Sequence, residues 1–484
     1  MFTSEALITA DGRRVAILSP GTPNRDGGPD FLDALIRVGG TTFAGDVELH
    51  TNAASWKSHK HENDPHYNRV ILHVVMTADT GFPPAQTASR RPVPLLVLHP
   101  FLDAQLYARW ATAEETAEGP HPSLRCFPFN FNLSGECITR WIEHLGGERI
   151  ELKIRRYEER LKQLTDEHRT LLRESYSRYY GNPDDIPRPY QEYSQKDFSS
   201  AELWDQLLYE GIMEGMGYSK NREPFLALAR QMRLDRLRRH NLSDTPTIMA
   251  LLFGAAGLLP SAKQIQEKES RQYIKGLRQR WKGLHPLHRI PLLHEGDWLF
   301  FRLRPGNFPT GRLAAICYLL PRLFGDSAIR RVVSPFKEPD PSSEAIMHTL
   351  RRIFQIEPDA FWRTHYHFRG RGGKRGISIG PDRIADLIIN AVVPVVLLYA
   401  RIFRDQEIRS RAFNLIEHLS PPQSNSILRL MERELTRGKL MFDSVLRQQG
   451  GIRLYGTYCA EGRCEECALG QTIGAPLTSS AASS

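Results

Sequence analysis

The hydrophobic pattern changes period partway along the chain, and this change limits the available folds. Up to about residue 100, apolar residues come in short runs rich in β-branched side chains. "RVAILSP" (Arg14 to Pro20) ends in a Pro-Gly turn, and "LDALIRV" (Leu32 to Val38) runs into Gly39-Gly40, a hairpin signal. "TTFAGDVELH" (Thr41 to His50) alternates in part. "RVILHVVM" (Arg69 to Met76) is unbroken, as a strand covered on both faces should be, and "VPLLVLH" (Val93 to His99) is similar. A loop rich in Pro, Thr and Ser, Thr80 to Arg91, lies between these last two.

From about Ile138 the spacing becomes helical, with opposite charges three or four residues apart. Helices are predicted at Ala201–Met216, Glu223–Met232, Thr245–Leu258, Lys268–Leu284, Arg312–Phe324, Ser343–Phe354, Pro381–Phe403, Glu407–Leu419 and Ser424–Arg437. No internal repeat interrupts them. The expected organisation is a small α/β module (residues 1–125), a mainly α-helical region (126–455), a cysteine-bearing end (456–470) and a disordered small-polar tail (471–484).

Composition removes several classes. With 41% hydrophobic and 25% charged residues, the chain is neither wholly disordered nor a collagen or coiled-coil rod. Six cysteines in 484 residues exclude a disulfide scaffold. The net charge is +9, but unevenly spread: residues 1–125 hold 11 basic and 14 acidic groups, so the remainder carries +12. A cation site followed by a phosphate-binding surface would have this distribution, and so would two unrelated domains. Glu5 and Asp11 come early, without the apolar core of a secretory signal. Ala385 to Phe403 is apolar but holds Asp386, Asn390, Pro394 and Arg401, so a buried helix broken or kinked near Pro394 is expected rather than a membrane span. The expected location is the cytoplasm.

The densest chemistry lies between Asn24 and His73. Gly28-Pro29-Asp30-Phe31 precedes a strand, Glu48-x-His50 closes the next, and Trp56, His59-x-His61, Asp64, Tyr67 and Asn68 follow. Five of the 17 histidines (His50, His59, His61, His66, His73) fall in 24 residues. Alternate residues of a strand share a face, so Glu48 and His50 point the same way. The Gly-Gly turn brings Glu48 back beside Asp30. Two such carboxylates can hold Mg²⁺ or Mn²⁺, which lowers the pKa of a bound water and polarises a phosphoryl oxygen. A second arrangement uses His59, His61 and Asp64, with imidazoles favouring Zn²⁺ or Mn²⁺. Each residue also has an ordinary reading: Asp30 as a turn residue, Glu48 as a solvated charge, His59-x-His61 as surface loop, His73 as a satisfied core histidine.

Pro29-Asp30 followed by Glu48-x-His50 resembles the PD-(D/E)XK nuclease superfamily, whose motif is Pro-Asp at a strand start and Glu-x-Lys on the paired strand. The resemblance implies a restriction-endonuclease-like mixed sheet. It also implies a divalent ion on Asp30 and Glu48, helped by the Leu49 carbonyl. His50 stands where the family has Lys, and an imidazole can act as a base or as a ligand. The strings "GDVELHTNAASWKSHKHENDPHYNRVILHVV", "GYSKNREPFLALA" (Gly217 to Ala229), "RLRPGNFPTGRLA" (Arg302 to Ala314) and "YCAEGRCEECALG" are similar to those of an uncharacterised bacterial family, a domain of unknown function.

Cys459-x4-Cys464-x2-Cys467 has the spacing of a metal site, since two thiolates two residues apart grip one tetrahedral centre. Cys126, Cys137 or a histidine would be the fourth ligand. The pattern resembles the cluster-bearing ends of iron–sulfur nucleases and of helix-hairpin-helix DNA glycosylases, so Zn²⁺ and an iron–sulfur cluster are both allowed. Cys317, in "LAAICYLL", reads as core.

"WRTHYHFRGRGGKRG" (Trp362 to Gly376) offers Arg363, Arg369, Arg371, Lys374 and Arg375 among aromatics and glycines, a nucleic-acid-binding composition. Arg230 to His240 and Lys275 to Gly283 are further basic clusters, each also readable as a solvated face. The expected function is a metal-dependent nuclease acting on DNA or RNA. The alternatives are an inactive nucleic-acid binder on the same fold and a scaffold protein with a structural metal.

Overall fold

The protein is described from a computed structural model, covering residues 7–24, 28–59, 61–78, 85–102, 124–180, 193–218, 220–284, 293–300, 305–371, 376–419 and 426–474. It divides into two compact units, Met1–Pro120 and His121–Ser484.

The first unit is built on strands β1 (Leu7–Ile8), β2 (Arg14–Ser19), β3 (Thr22–Pro23), β4 (Phe31–Val38), β5 (Thr41–Asn52), β6 (Val70–Thr77), β7 (Ala85–Gln86), β8 (Pro92–Val93) and β9 (Leu95–Val97). Seven form one mixed sheet in the order β1-β2-β4-β5-β6-β9, with β3 also on β4; β7 and β8 pair separately. Gly39 and Gly40 have φ of 58° and 96°, which the two-residue β4–β5 turn requires and other residues resist. β5 and β6 run parallel, with Glu48 opposite His73. Gly45 permits this pairing, because a Cβ there would lie 2.4 Å from the Arg69 carbonyl oxygen. β6 lies between β5 and β9, and Val70 to Val75 are all buried, as its unbroken apolar run requires.

The second unit is largely helical. Helices Ala201–Met216, Lys268–Leu284 and Pro381–Phe403 have the predicted bounds, and the others shift at their ends. A 46-residue helix, Gly135–Tyr180, opens the unit. Its charges are not simply a solvated face. Arg156 makes a two-pronged pair with Glu214 at 2.8 and 2.8 Å, and Arg160 reaches Glu210 at 2.7 and 2.9 Å, both on the buried Ala201–Met216 helix. Residues Pro381 to Phe403 are long and apolar enough to cross a membrane, but 67% of that window is buried inside the fold. The predicted break there is a π-helical turn, Ile388–Val392, just before Pro394. Proline has no N–H for the Asn390 carbonyl, which instead accepts from the Tyr157 hydroxyl at 3.3 Å. The final helix, Ala468–Ile473, runs past residue 471, the predicted start of the disordered tail. Residues 475–484 lie outside the described residues.

Candidate metal centre

The hairpin places Asp30 and Glu48 together. The Asp30 backbone N–H donates to Glu48 Oε2 at 3.1 Å, and the Leu49 N–H donates to Asp30 Oδ2 at 2.9 Å. Each acid is thus fixed by the other's strand. Glu48 is buried, which pushes its carboxyl pKa up, and the neighbouring Asp30 charge adds to the effect.

Imidazoles complete the group. His50 lies two residues beyond Glu48 on β5, and His73 faces them from β6. The connection between these strands carries His59 after the short helix Ser55–Ser58, and His61 in the 3₁₀ turn His61–Asn63. His50 Nε2 is 3.4 Å from Glu48 Oε1 and 3.2 Å from His59 Nδ1, and His61 Nε2 is 3.3 Å from the same Glu48 oxygen. Neighbouring donors 2.0–2.1 Å from one tetrahedral zinc stand about 3.3–3.4 Å apart, as these three pairs do, although the group whose ligand atoms all lie near one another leaves out Glu48. The three histidines offer ligand atoms within 4.8 Å of one another. Among the described residues, no acceptor meets the buried His61 Nε2 in hydrogen-bonding geometry, Glu48 Oε1 being near in distance only. This donor set fits a borderline ion such as Zn²⁺ or Mn²⁺ better than one held by carboxylates alone.

The surroundings orient these rings. His50 Nδ1 is 2.8 Å from His73 Nε2. With its proton on Nδ1, His50 donates to His73 and turns the Nε2 lone pair toward Glu48. Burial and the adjacent His61 and His59 push the His50 pKa down to about 4. Burial and the neighbouring imidazoles push that of His73 to about 3. Both rings are therefore neutral near pH 7, as metal ligation and its support require. Tyr67 stacks on His61 with ring centroids 3.8 Å apart, and Trp56 packs edge-on to it. The Trp56 indole is itself tied to the Gln86 carbonyl at 2.9 Å. His73 is thus satisfied, as a core histidine would be, and its partner belongs to the candidate centre.

Asp64 stands outside the donor group. Its carboxylate accepts from the His66 N–H at 3.0 Å and lies 2.8 Å from His66 Nδ1, capping the turn Pro65–Arg69. Within the imidazole-based arrangement, the residues at ligand spacing are His50, His59 and His61, without Asp64. Asp30 and His50 also border an open cavity of about 520 Å³ with Phe31, Thr51 and Met76. Sequence reasoning missed Glu62, whose buried Oε2 lacks a hydrogen-bond partner among the described residues. It also missed a second group, Glu267, Glu269 and His365, with donors within 4.8 Å. His365 is buried there, 3.0 Å from Glu267.

The cysteines gather in the helical unit. Cys126, Cys137, Cys459 and Cys467 belong to one hydrophobic cluster. Cys464 begins a 3₁₀ turn whose Cys464 carbonyl accepts from the Cys467 N–H at 3.2 Å. Burial, then Cys464 and Cys467, push the Cys126 thiol up to about 11. Burial raises Cys459 too, with Cys126, Cys467 and Cys464 adding to it. All six cysteines are free thiols. Among the described residues, the groups with at least three donors at ligand spacing contain no cysteine.

The basic loop is only partly described. Arg363 donates to the Pro358 carbonyl and Arg369 to Glu295, both from exposed positions. Arg371 ends a short strand, Gly370–Arg371, while Lys374 and Arg375 lie outside the described residues. In the Arg230 to His240 cluster, Arg233 pairs with Glu167 and Arg238 with buried Asp205, so these cations serve the fold.

No curated protein and no solved structure matches the chain. The profile of one family, described as "Protein of unknown function (DUF2851)", matches residues 1–183 and 191–426. That span takes in the sheet, the histidine-rich connection and most of the helical unit, and ends before the cysteine segment. The chain belongs to the DUF2851 family.

Proposed function

We propose that this protein is a divalent-metal-dependent phosphodiesterase of the nuclease type, acting on DNA or RNA. The observation that supports it most is the convergence of Glu48, His50, His59 and His61 beside Asp30, at the edge of an open cavity. A bound ion would supply a polarised phosphoryl oxygen and an activated water. The protein's own residues hold and orient. Glu48, His50, His59 and His61 present the donors, with Zn²⁺ or Mn²⁺ preferred to Mg²⁺. Asp30 fixes Glu48 through its backbone N–H, and His73 sets the His50 ring. Trp56 and Tyr67 wall off His61. Phosphate contacts from Arg363, Arg369, Arg371, Lys374 and Arg375 belong to the same reading. So does a structural Zn²⁺ or iron–sulfur cluster on Cys126, Cys459, Cys464 and Cys467 that would tie the C-terminal segment into the helical unit. A cytoplasmic location fits free thiols.

The test is cleavage of single- and double-stranded DNA and RNA by the purified full chain with Mg²⁺, Mn²⁺ or Zn²⁺. The expected result is metal-dependent cutting that Glu48→Gln abolishes. Unchanged cutting by that variant overturns the assignment. Salt-sensitive retention of nucleic acid without cleavage supports the inactive-binder reading, which the imidazole at the motif's Lys position favours.

A further inference from the structure

The helical unit contains a cavity of about 770 Å³ whose lining is strongly cationic. Arg149, Lys153, Arg156, Arg222, Arg383 and Arg453 face Glu214 and Asp386, six positive groups against two acids. Glu214 is engaged by Arg156 and Arg222, and Asp386 lies 3.6 Å from Arg383. Arg149 and Lys153 bond only to amide oxygens: both reach Gln449 Oε1, at 2.9 and 2.6 Å, and Lys153 also reaches Asn390 Oδ1 at 2.6 Å.

Several of these donors are buried and unused. Among the described residues, the Nε atoms of Arg383 and Arg453 have no hydrogen-bond partner, nor do Nε and one terminal nitrogen of Arg312, which lies beside the lining rather than in it. Arg383 is 8% exposed and Arg312 5%. Both guanidinium groups lie against the Tyr218 ring, at 3.0 and 4.5 Å from its centroid. Tyr218 has φ of 54°, a strained conformation for a tyrosine that the surrounding contacts maintain. The π-helical turn at Ile388–Val392 contributes Asn390 and Ala391 to the wall, and such turns concentrate at functional sites. Buried N–H groups left without acceptors cost free energy, and an anion would satisfy them. Burial and the neighbouring Arg149 and Arg156 push the Lys153 pKa down to about 7, and an anion in the cavity would reverse that shift.

We propose that this cavity binds the phosphate or pyrophosphate group of a small molecule. Its volume lies within the range of small-ligand pockets, and planar guanidinium forks match phosphate oxygens. The string "GYSKNREPFLALA" supplies Tyr218 and Arg222 to the lining, and Arg312 of "RLRPGNFPTGRLA" lies against the Tyr218 ring.

The test is calorimetric titration of the full chain with inorganic phosphate, pyrophosphate, a nucleoside triphosphate and a 5′-phosphorylated single-stranded oligonucleotide. Lys153→Met and Arg453→Gln are the variants, with folding checked by thermal melting. The expected result is binding of pyrophosphate or the nucleoside triphosphate that weakens at least about tenfold in each folded variant. No binding of any small phosphate at millimolar concentration overturns the proposal, as does binding that neither variant weakens. Binding of the oligonucleotide alone, lost in the variants, also overturns it and assigns the cations to a nucleic-acid backbone.

Discussion

Around Glu48 in the sheet unit, a carboxylate and imidazoles gather; around Lys153 in the helical unit, guanidinium and ammonium groups do. The first arrangement brings a carboxylate oxygen and three imidazoles within a few ångströms. The second gathers six cations against two acids. Each is unfavourable as it stands, and each is relieved by a charge of the opposite sign. A polar cluster therefore indicates the sign of its ligand by which hydrogen-bonding role is in excess. In the sheet unit acceptors predominate, so a cation fits. In the helical unit donors predominate, so an anion fits.

The largest effect that could break this comparison is on metal affinity. His73→Leu should weaken Zn²⁺ or Mn²⁺ binding by about 10–100-fold, because His50 loses the partner that sets its ring. His73→Gln, which keeps an acceptor, should recover part of the loss. Competition with a chromogenic chelator measures both, and unchanged affinity in His73→Leu would show that His73 is only packing.

Next in size, the two regions should respond to pH in different windows. His50 and His73 have folded pKa values near 4 and 3, below the unfolded value of about 6.5. The unfolded chain thus binds more protons between these limits, and metal-free stability should fall as pH drops from 6.5 toward 4. Lys153, at about 7 when folded, binds fewer protons than an unfolded lysine up to about 10.4. Stability should therefore rise as pH climbs from 7 toward 10. Melting temperature against pH checks both. His73→Leu should flatten the acid limb alone and Lys153→Met the alkaline limb alone.

The smallest effect sharpens the boundary of the metal centre. Asp64→Ala should cost about 1 kcal/mol, as loss of a cap does, and leave metal affinity unchanged. Chemical denaturation and the chelator assay together check it. A loss of affinity would return Asp64 to the ligand set.

The sheet was legible in the sequence because its signals are local. Gly39-Gly40 fixes the turn and the register as far as Ala34–Gly45, but the register then shifts by one residue between Ala34 and Phe31, and that irregularity, which no sequence signal marked, sets Glu48 beside Asp30. The imidazole donors were visible as residue types but not as a set. His61 reaches Glu48 only after the β5–β6 connection folds back, and spacing alone does not show that His66 engages Asp64. The cationic cavity was not legible. Its lining runs from Arg149 to Arg453, and Lys153 lies among Glu151, Arg155 and Arg156, whose charge spacing signals a helix and nothing more. Periodicity shows that a helix has a polar side, but not whether a second helix will cover it. For the same reason Arg233 and Arg238 read as candidate phosphate contacts and proved to be ion-pair partners within the fold.

The parallel pairing of β5 with β6 also has a kinetic consequence. Antiparallel β4 and β5 can zip from a two-residue turn, whereas parallel neighbours need the chain to double back along the whole length of the sheet. That return path is the segment bearing His59 and His61. Glu48 and His50 are therefore in place once a local hairpin exists, and the other two imidazoles arrive only with the slower, long-range closure. The centre would be assembled last, so its formation would report that the unit has finished folding.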